Sequence, residues 1–228
     1  MTTFVLIPGA GTDPGVYGAT IEALRHRGHR GLAPPLPLDD QNASPSDHAH
    51  AVAEAASNET DVVVVAQSLG AFTGPLVARQ LGAAALILVA PMIPQPGETA
   101  GEWWGNTGHA VAIAELIERH GPMAEWGRDA MAEIFLHDVD PAVARDSAEY
   151  QGAPGAGMFS EPWPLDEWPA VPTRVLAPRD DRLFPLEFQR RVARERLGLE
   201  VDEIDGGHLP MLSRPTELAR RLIELAGE

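Results

Sequence analysis

The sequence predicts an α/β protein: a mostly parallel sheet of about six strands, helices on both faces, and a helical insertion before the last strands. Three observations carry this. Residues 4–7, 62–65 and 85–90 are short runs, apolar throughout, separated by stretches of helical spacing. Strands without polar alternation belong to parallel sheets covered on both faces. Finally, Ser68, the acidic pair Asp180-Asp181, and His208 each follow a predicted strand, which is where open α/β sheets place their sites.

Composition bounds the class. A chain of 228 residues fits one domain, or one domain with an insertion. At 44% hydrophobic and 22% charged it reads as a soluble globular protein. The net charge is −16 and arginine supplies every cation, because the chain has no lysine. Such a surface disfavours nucleic acid and anionic membranes as partners and gives no long-range attraction to anionic substrates. The absence of cysteine excludes disulfides, a thiol nucleophile and a cysteine metal site. Met1-Thr2-Thr3 runs directly into residues 4–7, too short an apolar run for a signal peptide and without its basic lead. No apolar stretch approaches membrane-spanning length, so a cytoplasmic protein is expected. Oligomeric state is not legible.

Residues 4–7 read as a central strand, followed by Pro8-Gly9-Ala10-Gly11, a loop able to present backbone N–H groups. Tyr17, Ile21 and Leu24 recur at helical spacing, with Gly28 as a stop. Gly31-Leu32-Ala33 is a candidate short strand closed by the proline-rich APPLPLDD. A helix over 45–57 takes Ser44 as its cap and Pro45 in its first turn. The valines after Asp61 suit a pleated backbone. That strand stops at Ala66-Gln67-Ser68-Leu69-Gly70, and a helix with Leu69, Phe72 and Leu76 on one face follows. Pro75 conflicts with this helix, because inside it proline removes a hydrogen bond and kinks the chain. Residues 85–90 form the next strand, ended by Pro91.

From Pro91 to about Trp168 the pattern changes. Segments near 108–120, 127–136 and 141–149 read as helices, and all five tryptophans, at 103, 104, 126, 163 and 168, fall here. The expectation is a helical cap over 91–168 inserted into a core made of 1–90 and 169–228, with most of the tryptophans packing one to the other. The sheet resumes at 173–177. Pro185 opens a helix carrying Phe188, Val192 and Leu197, residues 199–204 alternate like an edge strand, and the last helix starts near Pro215 and buries Leu218, Leu222 and Leu225.

The three polar groups suit one chemistry. A serine hydroxyl is a poor nucleophile at neutral pH and needs an adjacent base. A histidine can take its proton and later return it to a leaving group. An aspartate can hold the imidazole tautomer and stabilise the imidazolium. Each residue also has a plainer reading: Ser68 as a helix N-cap, His208 as one of eight histidines, Asp181 as a solvated turn carboxylate or a cap before Pro185. Asp180 is the rival acid.

Together these motifs resemble the α/β-hydrolase superfamily, in its compact branch of esterases, methylesterases and hydroxynitrile-lyase-like proteins. FVLIPGAG resembles that family's strand and oxyanion turn, with Pro8 where many members have histidine. AQSLG resembles the nucleophile elbow, usually Gly-x-Ser-x-Gly, with Ala66 in place of the first glycine. The elbow is sharp and needs small residues, and alanine serves there if its φ stays negative. PRDDRLFP resembles an acid loop of the form Gly-x-x-Asp-x-x-x-Pro, with Pro178 replacing the glycine; this register selects Asp181, four residues before Pro185. DGGHLPMLSRP resembles the histidine loop. The resemblance covers nearly the whole chain outside the cap. It implies a triad of Ser68, His208 and Asp181, an oxyanion hole from the backbone N–H groups of Ala10 and Leu69, and neither a metal nor an organic cofactor.

The expected activity is that of a serine hydrolase cleaving a neutral, apolar carboxylic ester, thioester or lactone. The cap carries many carboxylates and only Arg119, Arg128 and Arg145 as cations, while its aromatics with Met92, Met123, Met131 and Met158 favour an apolar substrate. Trp103, Trp104, His109 and His137 are the candidate pocket residues, and Thr12 reads as a turn residue. The alternatives on the same fold are a C–C bond hydrolase, a lyase, a cofactor-free biosynthetic catalyst or a non-catalytic small-molecule binding protein. Hydroxynitrile lyases of this branch carry lysine just after the catalytic histidine, where this chain has Leu209. Haloalkane dehalogenation would need aspartate, not serine, in the elbow.

Overall fold

The computed structural model describes residues 1–120, 130–150, 152 and 154–227. Six strands, β1 (Thr3–Ile7), β2 (Arg30–Leu32), β3 (Val62–Gln67), β4 (Ala85–Val89), β5 (Thr173–Pro178) and β6 (Asp202–Ile204), form one sheet in the order β2-β1-β3-β4-β5-β6. All five pairings are parallel. The chain goes outward from β1 to β2, then returns to the other side of β1 with β3. The loops after β1 and β3 therefore part at a topological switch point, the usual crevice of such sheets.

Burial on both faces explains the unbroken apolar runs. In β3, Val62, Val64 and Ala66 face one cluster, and Val63 and Val65 face the other. The first cluster is closed by α2 (Pro45–Ala55), α3 (Gly74–Leu81) and α9 (Leu186–Leu197), through residues such as Val52, Val77 and Val192. The second is closed by α1 (Gly18–Arg25), α10 (Pro210–Ser213) and α11 (Pro215–Ala226), through Leu24, Met211, Leu218 and Leu222. The Ser44 hydroxyl and the Asp47 carboxylate form a capping box at the start of α2.

Three expectations are refined. The strand at 4–7 is second from one edge, and β3 and β4 hold the centre. The edge strand at the other side covers only Asp202–Ile204, while Leu199 and Val201 pack on the core without pairing. The conflict at Pro75 disappears, because Ser68–Phe72 is a separate 3-10 turn and α3 begins at Gly74. Pro75 then stands in a first turn, where its missing N–H has no intrahelical partner to lose.

Residues 91–168 leave the sheet after β4 and return to the adjacent β5. They carry α4 (Ala100–Asn106), α5 (His109–His120), α6 (Ala130–Phe135), α7 (Pro141–Asp146) and α8 (Gly157–Ser160). They also carry an isolated antiparallel bridge between Thr99 and Pro162. Tryptophans tie this segment down: the Trp163 indole N–H donates to the Phe72 carbonyl at 3.1 Å, and Trp168 stacks on Trp163. Met123, Trp126 and Arg128 lie outside the described residues. No described helix is long and apolar enough to cross a membrane.

Candidate active site

Ser68 sits where β3 breaks into the 3-10 turn, with φ +52°, a left-handed conformation that a non-glycine residue adopts only under constraint. The neighbours are small because other backbone lies against them. A Cβ on Gly70 would stand 2.6 Å from the Pro8 carbonyl oxygen, and one on Gly9 would stand 2.8 Å from the Ser68 Cβ. Ala66 remains within β3, so the alanine that replaces the usual glycine needs no positive φ.

The tertiary fold brings three sequence-distant groups into a line. The Nε2 of His208 lies 3.0 Å from the Ser68 Oγ, and its Nδ1 lies 2.8 Å from Asp181 Oδ2. All three residues are buried. The carboxylate can only accept, so Nδ1 carries the proton and Nε2 is the free acceptor for the serine hydroxyl. The second oxygen of Asp181 accepts the N–H groups of Leu183 and Phe184 at 2.8 and 2.9 Å. The edges of Phe135 and Phe184 flank the imidazole. Asp180 is exposed and does something else: its N–H donates to the Gly206 carbonyl at 3.0 Å, and its carboxylate accepts the Gly206 N–H at 3.3 Å. It braces the loop that carries the histidine.

The serine opens into a cavity of about 570 Å³. Its walls include Met92, Trp104, Ile134, Phe135, Phe159 and Leu209, and no Asp, Glu or Arg stands among the described lining residues. A family model described as the alpha/beta hydrolase family matches residues 4–221. The chain belongs to the alpha/beta hydrolase family.

Relatives within reach are distant. The alpha/beta hydrolase nvfD of Aspergillus novofumigatus (strain IBT 16806) is 25% identical over 115 residues, 50% of this chain and 46% of that protein. The chain thus spans under half the length of that relative. Methylesterase 7 of Arabidopsis thaliana is 25% identical over 194 residues, 75% of this chain and 71% of that protein. The solved structure of polyneuridine aldehyde esterase aligns with a TM-score of 0.78 at 16% identity, covering 99% of both chains. At that identity the likeness speaks for the fold.

In this alpha/beta hydrolase the four candidate pocket residues part company. Trp104 lines the serine cavity. Trp103 does not: it is fully buried, its indole N–H donating to the Ile93 carbonyl at 2.9 Å, and it meets Trp104 edge-on from behind. His109 also stands behind the wall, its Nε2 donating to the Leu183 carbonyl at 2.7 Å among Trp104, Phe184 and Phe188. Burial pushes its imidazole below the ordinary histidine value, opposed by the Leu183 carbonyl and Asp181. His137 faces a different cavity behind the acid loop and packs on Gly207, whose Cβ would stand 2.7 Å from its Nε2. The chain turns there, sending Phe135 and Leu136 inward and the next residue away.

Ala10 lines the serine cavity, whereas Leu69 is buried and lines a separate small cavity that Ala10 also reaches. Among the described residues, neither N–H is paired with an acceptor. Thr12 also reaches the cavity, its hydroxyl donating to the Ala10 carbonyl at 3.3 Å. Two contributors were missed from sequence. One is the wall-forming part of α6, where Ile134 and Phe135 join Met131, the one residue of this helix already noted as favouring an apolar substrate; their spacing of three and four marks an apolar face. The other is Gln67, which carries no motif of its own.

Proposed function

We propose that this chain is a serine hydrolase that cleaves a neutral, apolar carboxylic ester, thioester or lactone through an acyl-enzyme on Ser68. The observation that carries the reading is the continuous hydrogen-bonded line from Asp181 through His208 to Ser68, ending in a cavity whose described lining holds no Asp, Glu or Arg. That cavity falls within the size range of small-molecule sites. The esterase names among the relatives support the same class.

The proposed reaction runs along that line. The Ser68 Oγ attacks the substrate carbonyl while His208 Nε2 takes its proton. The carbonyl oxygen gains the negative charge, and the N–H groups of Ala10 and Leu69 are the donors assigned to it. Asp181 stabilises the imidazolium without becoming protonated. Collapse of the intermediate breaks the bond to the leaving group, which receives the proton from His208. Water, deprotonated by the same imidazole, then attacks the acyl-serine, and Ser68 leaves with that proton. Residues 91–168 act as a cap that supplies the apolar wall and excludes water. Among the described lining residues there is no Asp, Glu or Arg, which favours neutral substrates, because a carboxylate-bearing one would lose its hydration with no cation among those residues to replace it.

The test is turnover of a panel of p-nitrophenyl esters and lactones beside labelling by a serine-reactive phosphonate. Wild-type protein should show both, and Ser68→Ala should lose both while keeping its fold. Ester turnover that survives Ser68→Ala removes this assignment.

A further inference from the structure

We infer that Gln67 is a positioning residue that sets the oxyanion loop and the catalytic histidine relative to one another. It rests on the hydrolase reading and concerns the same site. Gln67 is the last residue of β3, directly before Ser68, and is 2% exposed. Its Oε1 accepts the Gly9 N–H at 2.9 Å, and its Nε2 donates to the His208 carbonyl at 3.1 Å. Only one orientation of the amide satisfies both partners, since one offers a donor and the other an acceptor. A single planar group therefore joins three loops that are remote in sequence: the elbow, the loop after β1 and the loop that carries His208.

Each bond acts on a group assigned to the chemistry. Holding the Gly9 N–H fixes the peptide preceding the one that bears the Ala10 N–H. Holding the His208 carbonyl fixes the backbone from which the imidazole projects towards Ser68. Gly9 is packed against the strut, because a Cβ there would stand 2.8 Å from Gln67 Oε1. The side chain also lines the cavity, so losing it would admit slack at both loops together. A carboxylate of the same length offers only acceptors, and an aliphatic side chain offers neither a donor nor an acceptor. Misplacement of about 1 Å can cost about 10²-fold in rate, so the effect should fall on turnover and not on substrate binding.

The experiment uses Gln67→Met in the full chain, a side chain of similar length that makes neither bond. With a p-nitrophenyl ester, kcat should fall about 10- to 100-fold while KM moves less than about threefold. Affinity for an alkyl trifluoromethyl ketone, whose adduct on Ser68 carries an oxyanion, should fall in parallel with kcat. If the methionine variant does not fold, Gln67→Asn keeps an amide but withdraws it by one methylene, and it should show the same split. A folded variant with unchanged kcat and ketone affinity overturns the strut, as does a rise in KM at constant kcat. Wild-type protein that neither turns over esters nor takes the phosphonate overturns the hydrolase reading itself, before any Gln67 variant is measured.

Discussion

Gly74 lies so close under Ala66 that a Cβ on Gly74 would stand 2.5 Å from the Ala66 Cβ. The elbow tolerates alanine in place of its usual first glycine because the helix that crosses β3 presents a glycine at that contact. Gly74→Ala should therefore destabilise the fold by about 1–3 kcal/mol through overpacking. Adding Ala66→Gly should recover part of the loss. Urea unfolding of the two single variants and the double would report a coupling above about 0.5 kcal/mol; additive losses would mean the two positions do not share the space.

The two adjacent aspartates should separate sharply. Asp181→Asn removes the charge beside His208 and invites the wrong tautomer, so kcat should fall by about 10³–10⁴. Asp180→Asn leaves the imidazole contact intact and alters one long hydrogen bond to the Gly206 N–H, so its loss should be far smaller. Steady-state kinetics of both variants on one ester settle the order, and a reversed ranking would move the acid to Asp180.

A buried ion pair pins the start of the 91–168 segment. Arg196 of α9 meets the Glu98 carboxylate with both terminal nitrogens, the pair being 6% and 4% exposed. Glu98 also accepts from Asn106 Nδ2 at 2.8 Å and from the Gln95 N–H at 3.1 Å. Arg196→Leu strands a buried carboxylate, which typically costs about 3–5 kcal/mol. Thermal unfolding should show a large drop for this variant and little change for Arg194→Leu, whose partner Glu200 lies in solvent. Equal drops would mean the buried pair has no special role.

Stability should also fall on mild acidification. Burial holds His48 and His109 below the ordinary histidine value, with Asp47 opposing it at the first and the Leu183 carbonyl and Asp181 at the second. In the unfolded chain both take up protons near ~6.5. Below that pH the unfolded state binds more protons than the folded one, so this stability is complete above it and is lost as pH falls towards the folded values. The urea midpoint should drop between about pH 7.5 and pH 5.5, and the drop should shrink in His109→Gln. An unchanged pH dependence in that variant would remove His109 from the account.

The order of strands and helices, the two-sided burial and the three groups of the hydrogen-bonded line were all legible along the chain. Each is written in local terms: β-branched runs, helical spacing, and glycine or proline at the turns. Asp181 was preferred to Asp180 through the register of the acid-loop resemblance, four residues before Pro185, and the structure brings its carboxylate, not that of Asp180, to the His208 ring. What the chain did not disclose is decided by groups that meet across the fold. Trp103 and Trp104 are neighbours with the same chemistry, yet only the second reaches the cavity, because the rotation of α4 is set by what packs behind it. His137 faces away for a similar reason, within the turn that follows α6. Gln67 and the Glu98–Arg196 pair carry no sequence signal, since their partners lie 58, 141 and 98 residues distant. Periodicity reports which side of an element is apolar. Only the packed structure decides which polar group each buried donor or acceptor finds.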